Sequence, residues 1–142
     1  MAKHLVPYGC ILLITTALAL SPPSTAVDPS EVGSAARYDS PYTPNACRYD
    51  EERLPSGGLF GAIDQVLWNK GSQCGTIYQV RCISEAGACL YGTSINITIV
   101  DLLQKTVSEP SNYDVLFALS SKAYGLIADP AKDSIKIQFQ RL

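Results

Sequence analysis

Asp101 is the residue best placed to do chemistry in this chain. It lies near the end of the run Gly92 to Leu103, GTSINITIVDLL, in which Ile95, Ile97 and Ile99 alternate with Ser94, Asn96 and Thr98. Alternation of this kind is the mark of a half-buried strand, because successive side chains point to opposite faces. Asp101 shares the parity of the isoleucines, which predicts a carboxylate at the end of the apolar face. There it must reach an open rim or find partners, since burying an unpaired charge is costly. A carboxyl group so placed is the chain's most definite candidate for carboxylate chemistry, as a proton donor or acceptor.

Other chemistries are narrowed by the segment that precedes the domain. Lys3 and His4 stand before the apolar run Cys10 to Leu20, which is too short and wrongly flanked to span a bilayer. Pro22 and Pro23 follow, and Ser24-Thr25-Ala26 offers the small residues a signal peptidase reads, so residues 1–26 are expected to be a secretory signal cleaved after Ala26. Cleavage removes His4, the sole histidine, and with it Ser–His and Cys–His catalysis and the usual zinc sites. No metal or other cofactor is expected. Cleavage also removes Cys10 and leaves Cys47, Cys74, Cys82 and Cys89. An even set in a secreted chain reads as two disulfides, with three connectivities open. The mature chain holds 10 Lys and Arg against 13 Asp and Glu, a formal net charge of −3. Such a balance offers no basic patch for nucleic acid or anionic lipid, and no membrane insertion is expected after cleavage.

The elements that must position Asp101 are short. Residues 27–34 read as a flexible leader, with the domain running from 35 to 142. Arg37 to Cys47, with two prolines, suits an edge strand and loop. Asp50-Glu51-Glu52 with Arg53 is a solvated loop, and Pro55 to Gly58 is a turn. Ala62 to Asn69 has helical spacing and is stopped by Gly71; Trp68 on it is assigned to packing rather than to stacking on sugar. Ile77 to Cys82 alternates as a strand, and Cys82 to Cys89 suits a local disulfide hairpin. Gln104 to Asp114 is polar and aperiodic, a long surface loop. Val115 to Leu119 is an apolar strand, and Ser120 can cap a helix whose inner face is Ala123, Leu126 and Ile127. Ser134 to Gln140 alternates again. Short strands with at most two helices predict a small disulfide-braced β-barrel.

The order of these residues resembles a known family. Gly33 to Tyr38, Pro41-Tyr42-Thr43-Pro44-Asn45-Ala46-Cys47, Leu59-Phe60, Trp68-Asn69 and Gln73-Cys74-Gly75 are similar to plant natriuretic peptides and related expansin-like proteins with a family 45 endoglucanase-like domain. So are Tyr78 to Cys82, Ile99 to Leu102, Leu119-Ser120, Ala123-Tyr124 and Ile127 to Pro130, and the likeness covers the chain from Gly33 onward. It implies an all-β fold, a six-stranded double-psi β-barrel with one or two short helices. It also implies a surface groove, secretion to the apoplast of the plant cell wall, and bridges Cys47–Cys74 and Cys82–Cys89.

The departures from that family bear on activity. Leu103 stands where relatives begin a further cysteine pair, Ala118 where the second groove acid lies, and Ala36 where a threonine is usual. Tyr38 and Asp101 remain as groove residues, Asp101 as a relic of a catalytic pair, and its expected role is to accept backbone hydrogen bonds. Asp114 lies four residues before Ala118 on a loop too loosely held to replace the lost acid. The resemblance therefore implies a monomeric, non-enzymatic secreted protein of the natriuretic-peptide type, acting through a cell-surface receptor in water and solute homeostasis or stress. The alternatives are a wall-polysaccharide-binding, loosening module and a weak glucan hydrolase. Finally, Asn96-Ile97-Thr98 is an acceptor sequence for N-glycosylation, with Asn96 on the solvent side of its strand.

Overall fold

A computed structural model describes residues 9, 17–21, 29–71, 74–90, 92–103 and 115–142. Residues 10–16 of the expected signal's apolar run, its cleavage site at Ala26, Gln73 and the Gln104 to Asp114 loop lie outside the described residues. Six strands form a closed barrel: β1 (Glu31–Tyr38), β2 (Phe60–Ile63), β3 (Ile77–Cys82), β4 (Ser94–Leu102), β5 (Val115–Ser120) and β6 (Ser134–Arg141). Their order around the barrel is β1-β5-β2-β4-β3-β6. The pairs β1/β5 and β2/β4 are parallel and the other four contacts antiparallel, the mixed arrangement expected of a double-psi barrel. No helix among the described residues is long and apolar enough to cross a membrane.

The interior follows from alternation. Tyr78, Val80 and Cys82 of β3, Ile95, Ile97 and Ile99 of β4, and Ile135, Ile137 and Phe139 of β6 all point into one core. Phe117 and Leu119 of β5 join them, and the rings of Tyr78, Phe117 and Phe139 meet edge-on or tilted with centroids 4.9 to 5.9 Å apart. Both disulfides form with the pairing the resemblance implies, Cys47–Cys74 and Cys82–Cys89. Trp68 packs against the core from its rim, as a packing residue should.

Four sequence expectations are corrected. The barrel begins at Glu31 rather than Ala35, because Glu31 to Ser34, assigned to the leader, pair in antiparallel register with β6. β1 is bonded on both sides in the closed barrel and is therefore no edge strand; Pro41 and Pro44, each after a cis peptide bond, lie beyond its end. Ala62 and Ile63 belong to β2, and helix α1 spans only Gln65–Asn69, started by Asp64, whose carboxylate accepts the Leu67 N–H at 3.0 Å. Gly71, with φ +90°, supplies the left-handed turn after it. In helix α2 (Ser121–Ile127), capped by the Ser120 hydroxyl on Ala123 N–H at 3.1 Å, the buried residues are Ala123, Tyr124 and Ile127, whereas Leu126 is exposed. The longer Tyr124 side chain reaches the core and anchors its hydroxyl on the Lys132 carbonyl at 2.8 Å.

Candidate functional site

The parity argument for Asp101 fails at one residue. β2 and β4 run in register as far as Gly61 opposite Ile99, but Ala62 then faces Asp101, so Val100 is an extra, bulged residue. Val100 is fully buried and, like Phe60, Ala62, Val115 and Ala118, is not part of the main core cluster. The bulge therefore moves Asp101 from the interior face predicted for it to the outer face, next to Ala62. Gly61 makes the close approach here: a Cβ on it would stand 2.6 Å from the Ala118 carbonyl oxygen.

The register of the neighbouring strands then draws a single row across the barrel's outer face. Ala36 of β1 faces Ala118 of β5, Ala118 faces Ala62 of β2, and Ala62 faces Asp101 of β4. The two positions singled out as lost polar residues, Ala36 and Ala118, are thus cross-strand neighbours on the floor that ends in Asp101. Asp101 and position 118 are two strands apart, about 9 to 10 Å between backbones. That spacing would suit the wider carboxyl pair of an inverting glycosidase, but the side chain at 118 is a methyl group.

Asp101 is held from the 41–49 loop. One of its carboxylate oxygens accepts the Ala46 N–H at 2.8 Å and the Leu102 N–H at 2.9 Å. The same loop is fastened by the Cys47–Cys74 bridge and by the Cys47 N–H, which donates to the Val100 carbonyl at 3.2 Å. Tyr38 lies close enough for the Asp101 charge to act on it. Burial first, then the charges of Asp101 and Tyr42, push its phenol far above the ordinary tyrosine range. Its hydroxyl is buried and has no hydrogen-bond partner among the described residues.

Two aromatic residues that sequence reasoning did not place in the site complete it. Tyr42 stands edge-on to Tyr38, ring centroids 5.0 Å apart, and edge-on to Phe60 at 4.8 Å. The Tyr42 hydroxyl accepts the Ser121 N–H at 3.1 Å, at the start of α2. Ser121 in turn donates through its hydroxyl to Asp39. Only the motif Pro41-Tyr42 hinted at this, since nothing in its spacing says that the loop folds back over β1. Asp64, a further acid, is buried as the cap of α1, and Asp114 lies outside the described residues. No cluster of metal-ligating side chains occurs among the described residues.

A closed six-stranded barrel of this mixed topology defines an expansin-like fold. The structure is similar to the apo form of a Clavibacter michiganensis expansin, with a TM-score of 0.61 at 15% identity, over 80% of this chain and 50% of that one. A variant of the same expansin solved in complex with cellohexaose gives 0.59 at 17% identity, with the same coverage. This chain thus spans half the length of those structures, and at such identity the likeness is one of fold. In sequence the chain is 32% identical over 141 residues to an EG45-like domain containing protein of Citrus jambhiri, covering 94% of this chain and 97% of that one. It is also 32% identical over 133 residues to EG45-like domain containing protein 2 of Arabidopsis thaliana, covering 91% of each. Expansin-B4 of Arabidopsis thaliana matches at 36% over 103 residues, 67% of this chain and 38% of that protein. The chain belongs to the EG45-like domain containing proteins, within the wider expansin-like group. No protein-family model matches it.

Proposed function

We propose that this is a secreted, non-enzymatic expansin-like protein that works by binding at the outer face of its barrel, with β-glucan of the cell wall as the ligand class. One observation carries the non-enzymatic part of the reading: Asp101 stands at the end of a row of three alanines, so the floor has one carboxylate where glycoside hydrolysis needs two. Asp101 is also committed to two backbone N–H groups, a holding role rather than a proton-transfer role. The cellohexaose complex of a bacterial expansin of the same fold supports a glucan ligand. Two disulfides support folding in an oxidising compartment, in keeping with a signal cleaved after Ala26 and an extracellular destination.

The second reading is signalling through a cell-surface receptor in water and solute homeostasis. It is favoured by the same floor, because three methyl groups offer sugar hydroxyls nothing to bond. One experiment separates the readings. Purified mature protein is incubated with soluble and insoluble β-glucans, and both released reducing ends and depletion of protein from solution are measured. Depletion without release is expected. Release that Asp101→Asn abolishes would refute a non-enzymatic role, and neither release nor depletion on any wall glucan would leave the receptor reading in its place.

A further inference from the structure

The outer face of the barrel carried by β3, β6 and the first half of β4 is rich in polar side chains. Two rows of polar side chains cross it: Asn96, Gln79 and Gln140 in one register, Ser94, Arg81 and Gln138 in the next. Arg81 donates to the Gln138 side-chain carbonyl, and the Gln138 amide donates to the Ser30 hydroxyl at 2.9 Å. Along them lies a shallow cavity of about 280 Å³ whose polar lining is Ser30, Gln79, Arg81, Ser94, Gln138 and Gln140, with Phe139 as its apolar part. Planar amides and a guanidinium on an exposed sheet offer both donors and acceptors, the chemistry that holds sugar hydroxyls. Asn96 is exposed at the border of this face, beside Gln79, and heads the sequon Asn96-Ile97-Thr98.

We infer that Asn96 carries an N-linked glycan whose first sugars rest on this amide-rich face. The inference rests on the secretory reading above. Folding order leaves the acceptor open to the transferase: β6 bonds to both β1 and β3, so the barrel cannot close until Ser134–Arg141 has been made, well after Asn96. The row through Asn96 runs toward β3 and β6, whereas the row through Asp101 runs toward β2 and β5, five residues further along the strand or about 16 Å. The glycan therefore covers one face and leaves the Tyr38–Asp101 face free.

The test uses the full chain expressed in plant cells. Secreted protein with two disulfides is expected to gain mobility on treatment with a peptide N-glycosidase, and glycopeptide mass spectrometry should place the sugar on Asn96. Both Asn96→Gln and Thr98→Ala should abolish the shift. Amide hydrogen exchange in Ile77–Cys82 and Ser134–Arg141 should be severalfold slower in the glycosylated than in the deglycosylated form, and Gln79→Ala with Gln140→Ala should erase that difference while the glycan remains. Retention in the cytosol would overturn this inference and the secretory reading together. Secretion without a glycan would overturn the inference alone, and a glycan that leaves exchange unchanged would overturn its seat on the amide face.

Discussion

Tyr38 carries a phenol that the fold buries without a partner among the described residues, next to a carboxylate that raises its proton affinity further. An unsatisfied buried hydroxyl costs on the order of 1 to 3 kcal/mol. Tyr38→Phe should therefore leave the protein as stable or raise its stability by about 1 kcal/mol at neutral pH, read from urea midpoints. The sign with pH follows from the raised pKa: the folded state keeps a proton that the unfolded chain gives up near pH 10, so stability present below that value is lost as the pH rises above it. Tyr38→Phe should flatten this alkaline loss. The flattening should be partial, because burial raises Tyr124 as well. Asp101 predicts the opposite kind of result. Asp101→Asn keeps an oxygen for Ala46 and Leu102 and should cost under about 1 kcal/mol, whereas Asp101→Ala strands both N–H groups and should cost about 1 to 2 kcal/mol, since Ala46 can recover water.

Among the elements, the 41–49 loop and the β4 bulge do the positioning. The Cys47–Cys74 bridge joins residues 27 apart in sequence and ties the loop that brings Ala46 to Asp101. Replacing both cysteines by serine should cost about 3 kcal/mol from the loop closure lost in the unfolded chain. Because the bridge and the Asp101 carboxylate hold the same loop, the double cysteine change and Asp101→Ala should be less than additive, by roughly 0.5 kcal/mol or more in a denaturation cycle. At the bulge, Gly61→Ala places a methyl group against the Ala118 carbonyl and should cost about 1 to 3 kcal/mol, as overpacking does. Neither the loop's course nor the bulge was legible beforehand. A bulge is one unpaired residue chosen by the register of two strands, and Val100 looks from sequence like any other member of an apolar run.

At the scale of the whole molecule, the barrel is closed by its two ends, β1 against β6. The aromatic core joins three strands that are far apart in sequence through Tyr78, Phe117 and Phe139. Phe139→Ala should therefore cost about 3 to 5 kcal/mol and be seen as a large fall in the thermal midpoint, despite lying three residues from the C-terminal Leu142. The residues assigned to a leader, Glu31 to Ser34, complete the same closure, which is why a polar segment is ordered here: its backbone bonds to β6 even where its side chains bury little.

The sequence by itself determined the barrel class, because period-two alternation in Ile77–Cys82, Ser94–Thr98 and Ser134–Gln140 leaves each strand one apolar face to bury. It also supplied an even set of four cysteines after the expected signal, and a family likeness that named the right pairs. Only the tertiary structure decided which face Asp101 occupies and what surrounds it. Those depend on inter-strand register: one bulged residue reverses parity, and parallel pairing sets Ala36, Ala118, Ala62 and Asp101 in a line although they lie far apart along the chain.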